Sequence, residues 1–361
     1  MFIFLAVLAA TIVICFLSEK KQRVGVIVLG GIMMLLCGLR ANTVGADTDG
    51  YFRFADFATS EESSERFGIL YLSLRLLCGI FDNPQVFIFV IALLTFVPLL
   101  WLIIKKSPLP AVSLLVFMVA SSHYYLECFN IIRQLLSVVF VYLFIYYYFQ
   151  KKYLWACCFL ILAFLAHKFA FFVILVLPFL RRRIPFPVIL CLITISVILG
   201  YIGTLDFLTE FLVGLSSYGS ESAYNVASLG NYVNIHELNS KWSAAEVLSH
   251  WFPVTVVCIF GYRKSKASNL YNMLYNMLFV GAIITNLLMS NVYCDRIASY
   301  FTVSQIFIVA NCLSKGLTIS KVAITFVIFF YVLFYMYTLY IQNLDIDFVD
   351  NVMPYKFCFE K

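Results

Sequence analysis

The sequence predicts an all-α polytopic membrane protein with about 12 transmembrane helices and one short interfacial or re-entrant helix. Of its 361 residues, 63% are hydrophobic and 12% are charged, whereas roughly 25% of the residues of a soluble domain are charged. The mean hydropathy is +0.95. So few polar residues do not cover the surface of a soluble fold, and a disordered chain is far more polar, so both classes are excluded.

Apolar segments follow one another along the whole chain, without an internal repeat or a Gly/Ser-rich linker. A single strand in lipid leaves its backbone groups unpaired, so each segment is predicted to be helical. We therefore expect one integral membrane domain over residues 1–361. The segments are 2–17, 24–39, 67–81, 85–104, 110–126, 131–149, 153–166, 169–180, 187–203, 247–262, 270–289, 297–312 and 321–341.

Short clusters of basic residues separate these segments and predict the orientation, because such clusters face the cytoplasm. Both termini and the long loops over about 40–66 and 204–246 are then extracytoplasmic. Segment 67–81 is short and contains Arg75, so it is expected not to span. Segments 153–166 and 169–180 are expected to be short or tilted helices that meet near His167. The clusters are Lys20/Lys21/Arg23, Lys105/Lys106, Lys151/Lys152, Arg181/Arg182/Arg183, Arg263/Lys264/Lys266 and Lys315/Lys321.

The net charge of +6 is spread over these clusters and does not predict nucleic-acid binding. The 11 cysteines lie mostly within apolar segments, without the spacing of zinc ligands or of a disulfide framework. We therefore expect no metal and no cofactor.

Charged residues at membrane depth are costly, and each one is a hypothesis of function. Arg40 ends the second segment, and Asp47 and Asp49 follow in what reads as a glycine-containing turn. A snorkelling arginine beside a solvated turn is the alternative interpretation. A metal-binding Asp-x-Asp motif is a second alternative, for which the sequence gives little support.

A second group surrounds the start of the sixth segment. It consists of His123, Glu127, Asn130, Arg133 and Gln134. The planar guanidinium group of an arginine suits a phosphate or a carboxylate. The alternative is a structural pair between Arg133 and Glu127.

A third group, His167 and Lys168, interrupts two half-length apolar helices. A histidine exchanges protons near neutral pH, and a lysine holds an anion. Asp295, Arg296 and Tyr300 form a fourth group, whose alternative reading is a local Asp–Arg pair. The two remaining groups are interpreted as packing or interface anchors. These are Glu65, Arg66, Arg75, Pro354, Tyr355, Lys356 and Phe357.

The arginines Arg40, Arg133 and Arg296 are expected at one membrane face and together predict an anion site there. A membrane-borne pyrophosphate fits such a site, because arginines stabilise negative charge on a departing phosphate. A neighbouring Asp, Glu or His is expected to act as general base for a hydroxyl nucleophile.

These residues resemble, in order, the motifs of the EpsG family of bacterial exopolysaccharide proteins, which are Wzy-like polymerases. The resemblance covers nearly the whole chain. The matching motifs are Gly38-Leu39-Arg40, Asp47-Thr48-Asp49-Gly50-Tyr51, Glu65, Asn130-x-x-Arg133-Gln134, Ala166-His167-Lys168-Phe169-Ala170, Asp295-Arg296, Tyr300-Phe301 and Pro354-Tyr355-x-Phe357.

The resemblance implies a GT-C-like membrane glycosyltransferase that works without a metal at the outer face of the bacterial plasma membrane. It joins O-antigen or exopolysaccharide repeat units carried on undecaprenyl pyrophosphate, which is the leaving group. A chain-length regulator and a flippase are the implied protein partners. The implied residues are Asp47, Asp49, Glu127 and His167 for catalysis, Arg40, Arg133, Lys168 and Arg296 for the pyrophosphate, and Tyr51, His123, Asn130, Gln134, Asp295 and Tyr300 for the substrates.

Three alternatives stay open from the residues alone. A flippase of the same lipid-linked unit also needs cations in a membrane cavity, but it is expected to carry charge along its whole path and to show a repeat. A membrane O-acyltransferase uses a buried histidine but takes its donor from the cytoplasmic side. A structural membrane subunit with paired charges is the third alternative.

Overall fold

The computed structural model describes residues 1–56, 68–120, 124–202, 252–265, 268–287, 292–344 and 352–360. These residues form α1 (Phe2–Cys15), α2 (Glu19–Gly38), α3 (Thr48–Ala55), α4 (Ile69–Cys78), α5 (Pro84–Lys106), α6 (Pro110–Val119), α7 (Tyr124–Glu127), α8 (Ile132–Phe149), α9 (Tyr153–Ala166), α10 (Phe171–Leu180), α11 (Phe186–Tyr201), α12 (Phe252–Ser265), α13 (Asn269–Leu287), α14 (Val292–Thr302), α15 (Gln305–Lys315) and α16 (Thr318–Leu344). Short 3₁₀ helices cover Gly79–Phe81 and Lys168–Ala170.

Six helical stretches among the described residues are long and apolar enough to cross a membrane: Glu19–Gly38, Pro84–Lys106, Ile132–Phe149, Asn269–Leu287, Arg296–Lys315 and Thr318–Leu344. Shorter apolar helices accompany them, among them α1, α6, α9, α10 and α11. The predicted all-helical architecture is thereby confirmed for the described residues, and the six candidate spans indicate a multi-pass membrane protein. The count of about 12 spans stays a prediction, because it depends on the shorter helices.

Local sequence determines where several helices begin. Asn83 caps α5, because its side-chain oxygen accepts the backbone N–H of Gln85 at 2.9 Å, and Pro84 occupies the first helical position, where no N–H is needed. Ser18 precedes α2 in an extended conformation, and Glu19 lies in the first turn, where a negative charge is favourable.

The structure differs from the expected local structure at several helix ends and turns. The basic residues 20–23 lie inside α2, which begins before its apolar part. Residues 48–55 form α3, so Asp49 lies in a helix and not in a turn. Helix α6 ends at Val119, short of the expected 126. The expected segment 297–312 lies within the candidate span Arg296–Lys315, in which a turn at Val303–Ser304 separates α14 from α15. At this turn the Ser304 hydroxyl donates to the Phe301 carbonyl at 2.7 Å.

The helix ends that carry three of the basic clusters, at 105–106, 151–152 and 181–183, lie together, and we call this the basic end. The Lys106 ammonium group lies 4.8 Å from the ring centroid of Tyr146, and the Arg181 guanidinium lies 5.5 Å from that of Tyr148. Tyr271 donates its hydroxyl to the Lys106 carbonyl at 3.1 Å. Clusters from three separate connections therefore share one end, as the predicted orientation requires.

The opposite end, which we call the arginine end, contains Arg40 and both terminal segments. The backbone of Arg40 bridges that of Phe357, and Ala41 N–H donates to the Lys356 carbonyl at 2.9 Å. The ring of Phe4 packs edge-on against Tyr355, with ring centroids 5.5 Å apart. Helix α8 alone separates the two ends by about 27 Å, from its 18 residues.

Candidate functional site

Arg40 is completely buried, and its guanidinium donors point at the protein itself. Nε donates to the Thr48 hydroxyl at 3.0 Å, Nη2 donates to the Phe129 carbonyl at 3.2 Å, and Nη1 donates to the Cys37 carbonyl. The guanidinium also lies 5.5 Å from the ring centroid of Phe129. Arg40 therefore fastens the loop after α2 to the segment before α8.

The loop over 44–48 closes against the same segment. Gly45 has a φ of +89°, and a Cβ atom at this position would lie 2.5 Å from the Phe129 carbonyl oxygen, so only glycine fits without strain. The Ala46 N–H donates to the side-chain oxygen of Asn130 at 2.7 Å. Asn130, which the sequence assigns to the substrate, is buried and holds this loop.

The two aspartates of this region lie at the start of α3. Asp47 is exposed at the N-cap position, and Asp49 is partly exposed and pairs with Arg53 one helical turn later. The structure brings Asp47 close enough to Tyr51 for electrostatic interaction. Asp49 is paired along the outside of its own helix.

Tyr51, Tyr71 and Arg133 form the first part of the site. Tyr71 is completely buried, and its hydroxyl donates to the Arg133 carbonyl at 3.3 Å. The Arg133 guanidinium lies 6.0 Å from the ring centroid of Tyr71 and within hydrogen-bonding range of the Tyr51 hydroxyl. Sequence reasoning missed Tyr71. Its signal was the i, i+4 spacing with Arg75, which places both residues on the buried face of α4.

His167 is the second part, and it lies in the connection between α9 and the 3₁₀ helix. Its Nδ1 atom lies 3.2 Å from the Tyr300 hydroxyl oxygen and 3.4 Å from the Phe169 backbone nitrogen. Tyr300 donates to the Ser137 hydroxyl at 2.9 Å, and Ser137 donates to the Ala163 carbonyl at 2.6 Å. Sequence reasoning did not identify Ser137, which sits among apolar residues of α8.

Three cationic side chains lie close enough to His167 to act on it electrostatically: Arg133 from α8, Arg296 from α14 and Lys168 from the 3₁₀ helix. Lys168 is exposed and both arginines are partly exposed, so these charges are accessible from outside the protein. Cationic side chains from distant parts of the sequence therefore lie near the same histidine. This arrangement suits a multiply charged anion.

Gln134 ties two of these elements together. Its side-chain amide donates to the Arg296 carbonyl and to the Ser299 hydroxyl, each at 2.6 Å. Gln134 is 1% exposed, so the structure places it behind the cationic side chains. Its Oε1 atom finds no hydrogen-bond partner among the residues that the structure describes.

The structure describes some of the other expected residues, and the rest lie outside what it describes. Glu127 ends α7, partly exposed, and its carbonyl accepts the backbone N–H of Asn130 at 3.0 Å. Arg75, expected as a packing or interface anchor, is buried and packs with its guanidinium 5.3 Å from the Phe54 ring centroid. His123, Glu65, Arg66, the loop over 204–246 and the side chain of Asp295 lie outside what the structure describes.

Comparison with known proteins identifies the family of this protein but no individual relative. No curated protein and no solved structure matches the chain. The model of the EpsG family matches residues 23–357, which includes every described residue of the cationic cluster, and the protein therefore belongs to the EpsG family.

Proposed function

We propose that the protein polymerises oligosaccharide repeat units carried on undecaprenyl pyrophosphate, at the outer face of the plasma membrane. The observation that carries this proposal is the convergence of Arg133, Arg296 and Lys168 on His167. Family membership supports it, since the family is associated by name with exopolysaccharide synthesis. About 12 spans, extracytoplasmic termini and a GT-C-like arrangement belong to the same proposal.

The cationic side chains would hold the pyrophosphate of the donor. They come from three different elements, so the protein fixes their spacing before the ligand binds. Negative charge grows on the pyrophosphate as its bond to the sugar breaks, and cations that are already in place stabilise this charge without reorganisation. Two arginines can each offer two parallel N–H donors to phosphate oxygens.

Among the acids and the histidine named by the sequence, His167 has the position best suited to a general base. It lies within electrostatic range of Arg133, Arg296 and Lys168, whereas Asp49 pairs along the outside of α3. In the proposed step, the hydroxyl oxygen of the acceptor sugar bonds to the anomeric carbon of the donor. The carbon–oxygen bond to pyrophosphate breaks with its electron pair, and the hydroxyl proton passes to His167.

The remaining residues have supporting roles in this proposal. Arg40, Asn130 and Gln134 hold the loop after α2 and the starts of α8 and α14 in place through backbone hydrogen bonds. Tyr51 lies beside the Arg133 guanidinium and would contact the donor or the acceptor.

The grouping of the described charges favours a polymerase over a flippase. The cationic cluster lies at the arginine end, and the basic clusters lie at the other end of the helices. A transport path through the protein is expected to carry charge between the two ends. A membrane O-acyltransferase would need its histidine at the basic end.

The test is a reconstituted polymerisation assay. Purified protein receives lipid-linked repeat units without any nucleotide sugar, and glycan length is read on a gel. The proposal expects a ladder of longer glycans that is lost in Arg133→Ala and in Arg296→Ala. Arg53→Ala is the matched control, because Arg53 is an exposed arginine at the same end that pairs with Asp49. Unchanged ladders in both cluster variants would contradict the pyrophosphate site.

A further inference from the structure

A chain of hydrogen bonds runs from His167 into the protein and returns to the helix that precedes it. Nδ1 of His167 lies 3.2 Å from the Tyr300 hydroxyl, which donates to Ser137 at 2.9 Å. Ser137 donates to the Ala163 carbonyl at 2.6 Å, and the same carbonyl accepts the His167 backbone N–H at 3.0 Å. Ser137 and Tyr300 are both buried, so water does not substitute for these partners.

The Ala163 carbonyl at the end of this series of hydrogen bonds determines which group donates in each bond. A backbone carbonyl only accepts, so the single hydroxyl proton of Ser137 must point at Ala163. The Ser137 oxygen is then left as the acceptor for the Tyr300 hydroxyl proton. The Tyr300 oxygen is in turn left as an acceptor, and among the described residues the group that faces it and can donate is an Nδ1–H of His167.

One competing contact favours the other tautomer. The backbone N–H of Phe169 points at Nδ1 from 3.4 Å and would pair with a bare Nδ1 atom. This distance is longer than the 3.2 Å to Tyr300 and lies beyond the usual 2.9–3.0 Å of an N–H···O bond. Hydrogen bonding to Tyr300 therefore favours the Nδ1–H tautomer, whereas the Phe169 N–H favours the Nε2–H tautomer. The contact with Tyr300 is the shorter of the two.

We infer that Tyr300 and Ser137 are positioning residues that hold the proton of neutral His167 on Nδ1 and leave Nε2 as the proton acceptor. This inference rests on the proposed function. Within the described residues no group hydrogen bonds to Nε2. When the acceptor hydroxyl gives its proton to Nε2, the Nδ1–H stays on Tyr300, so the chain serves both protonation states without rearrangement. Tyr300 and Ser137 keep their own protons throughout.

The imidazolium that forms in this step is surrounded by positive charge. Arg133 faces it from α8, Arg296 and Tyr300 face it from α14, and Lys168 adjoins it in sequence. The bound pyrophosphate offsets these cations, and the Tyr300 oxygen accepts the Nδ1–H of the imidazolium. Loss of that acceptor makes protonation less favourable, so the acid limb of the kcat profile should move to lower pH.

The first test reads the tautomer directly. Solid-state ¹⁵N spectra of histidine-labelled protein in lipid distinguish Nδ1–H from Nε2–H, and the His167 signal among the four histidines is the one absent from His167→Gln. We expect Nδ1–H in the wild type and Nε2–H in Tyr300→Phe. Ser137→Ala should also give Nε2–H, because the Tyr300 proton then turns to Nδ1. Nε2–H in the wild type, or an unchanged tautomer in both variants, would overturn the inference.

The second test uses the polymerisation assay. Tyr300→Phe and Ser137→Ala should each lower kcat at least about 100-fold with little change in KM, since a base in the wrong tautomer loses most of its effect. The acid limb should shift to lower pH in Tyr300→Phe. Tyr142→Phe is the matched control, because it removes another buried hydroxyl, which donates to the Tyr300 carbonyl at 3.4 Å and leaves His167 untouched.

Different results would contradict the proposed function and the positioning roles of Tyr300 and Ser137. A wild-type protein that shows Nδ1–H but makes no ladder would contradict the proposed function and leave the tautomer assignment standing. A wild-type protein that makes a ladder, together with both variants at full kcat, would overturn the positioning roles and leave the polymerase standing. If Tyr300→Phe does not fold, Ser137→Ala alone decides, since it keeps every ring in place.

Discussion

Gln134 and Arg296 are joined across two helices: the side-chain amide of Gln134 donates to the backbone carbonyl of Arg296 at 2.6 Å. The two residues are separated by 162 positions in the sequence. Because Arg133 adjoins Gln134, this one bond links the helix of the first arginine to the helix of the second. The spacing of the cationic cluster therefore depends on a buried amide that we do not expect to touch the substrate.

Replacing Gln134 should separate the cations. We expect Gln134→Ala to lower the free energy of unfolding by about 1–3 kcal/mol, because it leaves the Arg296 carbonyl without this donor, and to remove most polymerising activity. Gln85→Ala is the control. Gln85 makes the same kind of bond, to the Gly38 carbonyl at 2.6 Å, outside the cluster. Equal losses of activity in the two variants would show that the Gln134 bond has no special role in the site.

Gly45 should tolerate no side chain. Gly45→Ala forces a Cβ atom toward the Phe129 carbonyl at a positive φ, and we expect a loss of at least about 1–3 kcal/mol in unfolding free energy. Gly50→Ala places the same methyl group in α3 with nothing within 4 Å, so it should be neutral or stabilising by up to about 1 kcal/mol. Thermal unfolding in detergent measures both, and equal melting temperatures would contradict the loop geometry.

Arg40 should behave as a structural residue. A lysine in its place cannot reach Thr48, Cys37 and Phe129 together, so Arg40→Lys should lower the melting temperature clearly. Arg133→Lys should lower activity with a smaller effect on melting. An Arg40→Lys protein with full stability and a raised KM for the donor would instead indicate that Arg40 contacts the pyrophosphate.

The orientation can be tested by labelling with a membrane-impermeant thiol reagent. In a variant from which every native cysteine has been removed, Asp49→Cys should react from outside intact cells. Arg182 adjoins Arg181 at the basic end, so Arg182→Cys should react only after permeabilisation. Labelling of both positions from the same side would contradict the predicted arrangement of the two ends.

Composition and hydropathy were sufficient to predict the helices and their membrane setting, because the cost of burying backbone groups in lipid leaves few other structures. They were insufficient for helix ends. Glu19 and the basic residues after it are good helix formers, so α2 extends beyond its apolar part. At the turn at Val303–Ser304 the Ser304 hydroxyl bonds to the Phe301 carbonyl, and hydropathy does not report such a local contact.

The sequence was sufficient to predict which charged residues belong to the site, but not which groups they contact. Arg133, Arg296, His167 and Lys168 were conspicuous as charges in apolar surroundings, and the structure brings them together. Arg40 was equally conspicuous, but its donors turn inward, and nothing in the sequence shows the carbonyl that it meets. Ser137 is a small polar residue of the kind found throughout helices, and its partner lies 163 positions away.

The most direct measurement follows the leaving group. Reconstituted protein is supplied with repeat units on undecaprenyl pyrophosphate that carries a ³²P label, and the free lipid pyrophosphate is counted against the linkages formed. We predict one lipid pyrophosphate released for each new glycosidic bond, with both products lost together in Arg133→Ala and Arg296→Ala and kept in Arg53→Ala. Linkages formed without release, or movement of the labelled lipid across the bilayer with no linkage at all, would contradict a polymerase at the cationic cluster.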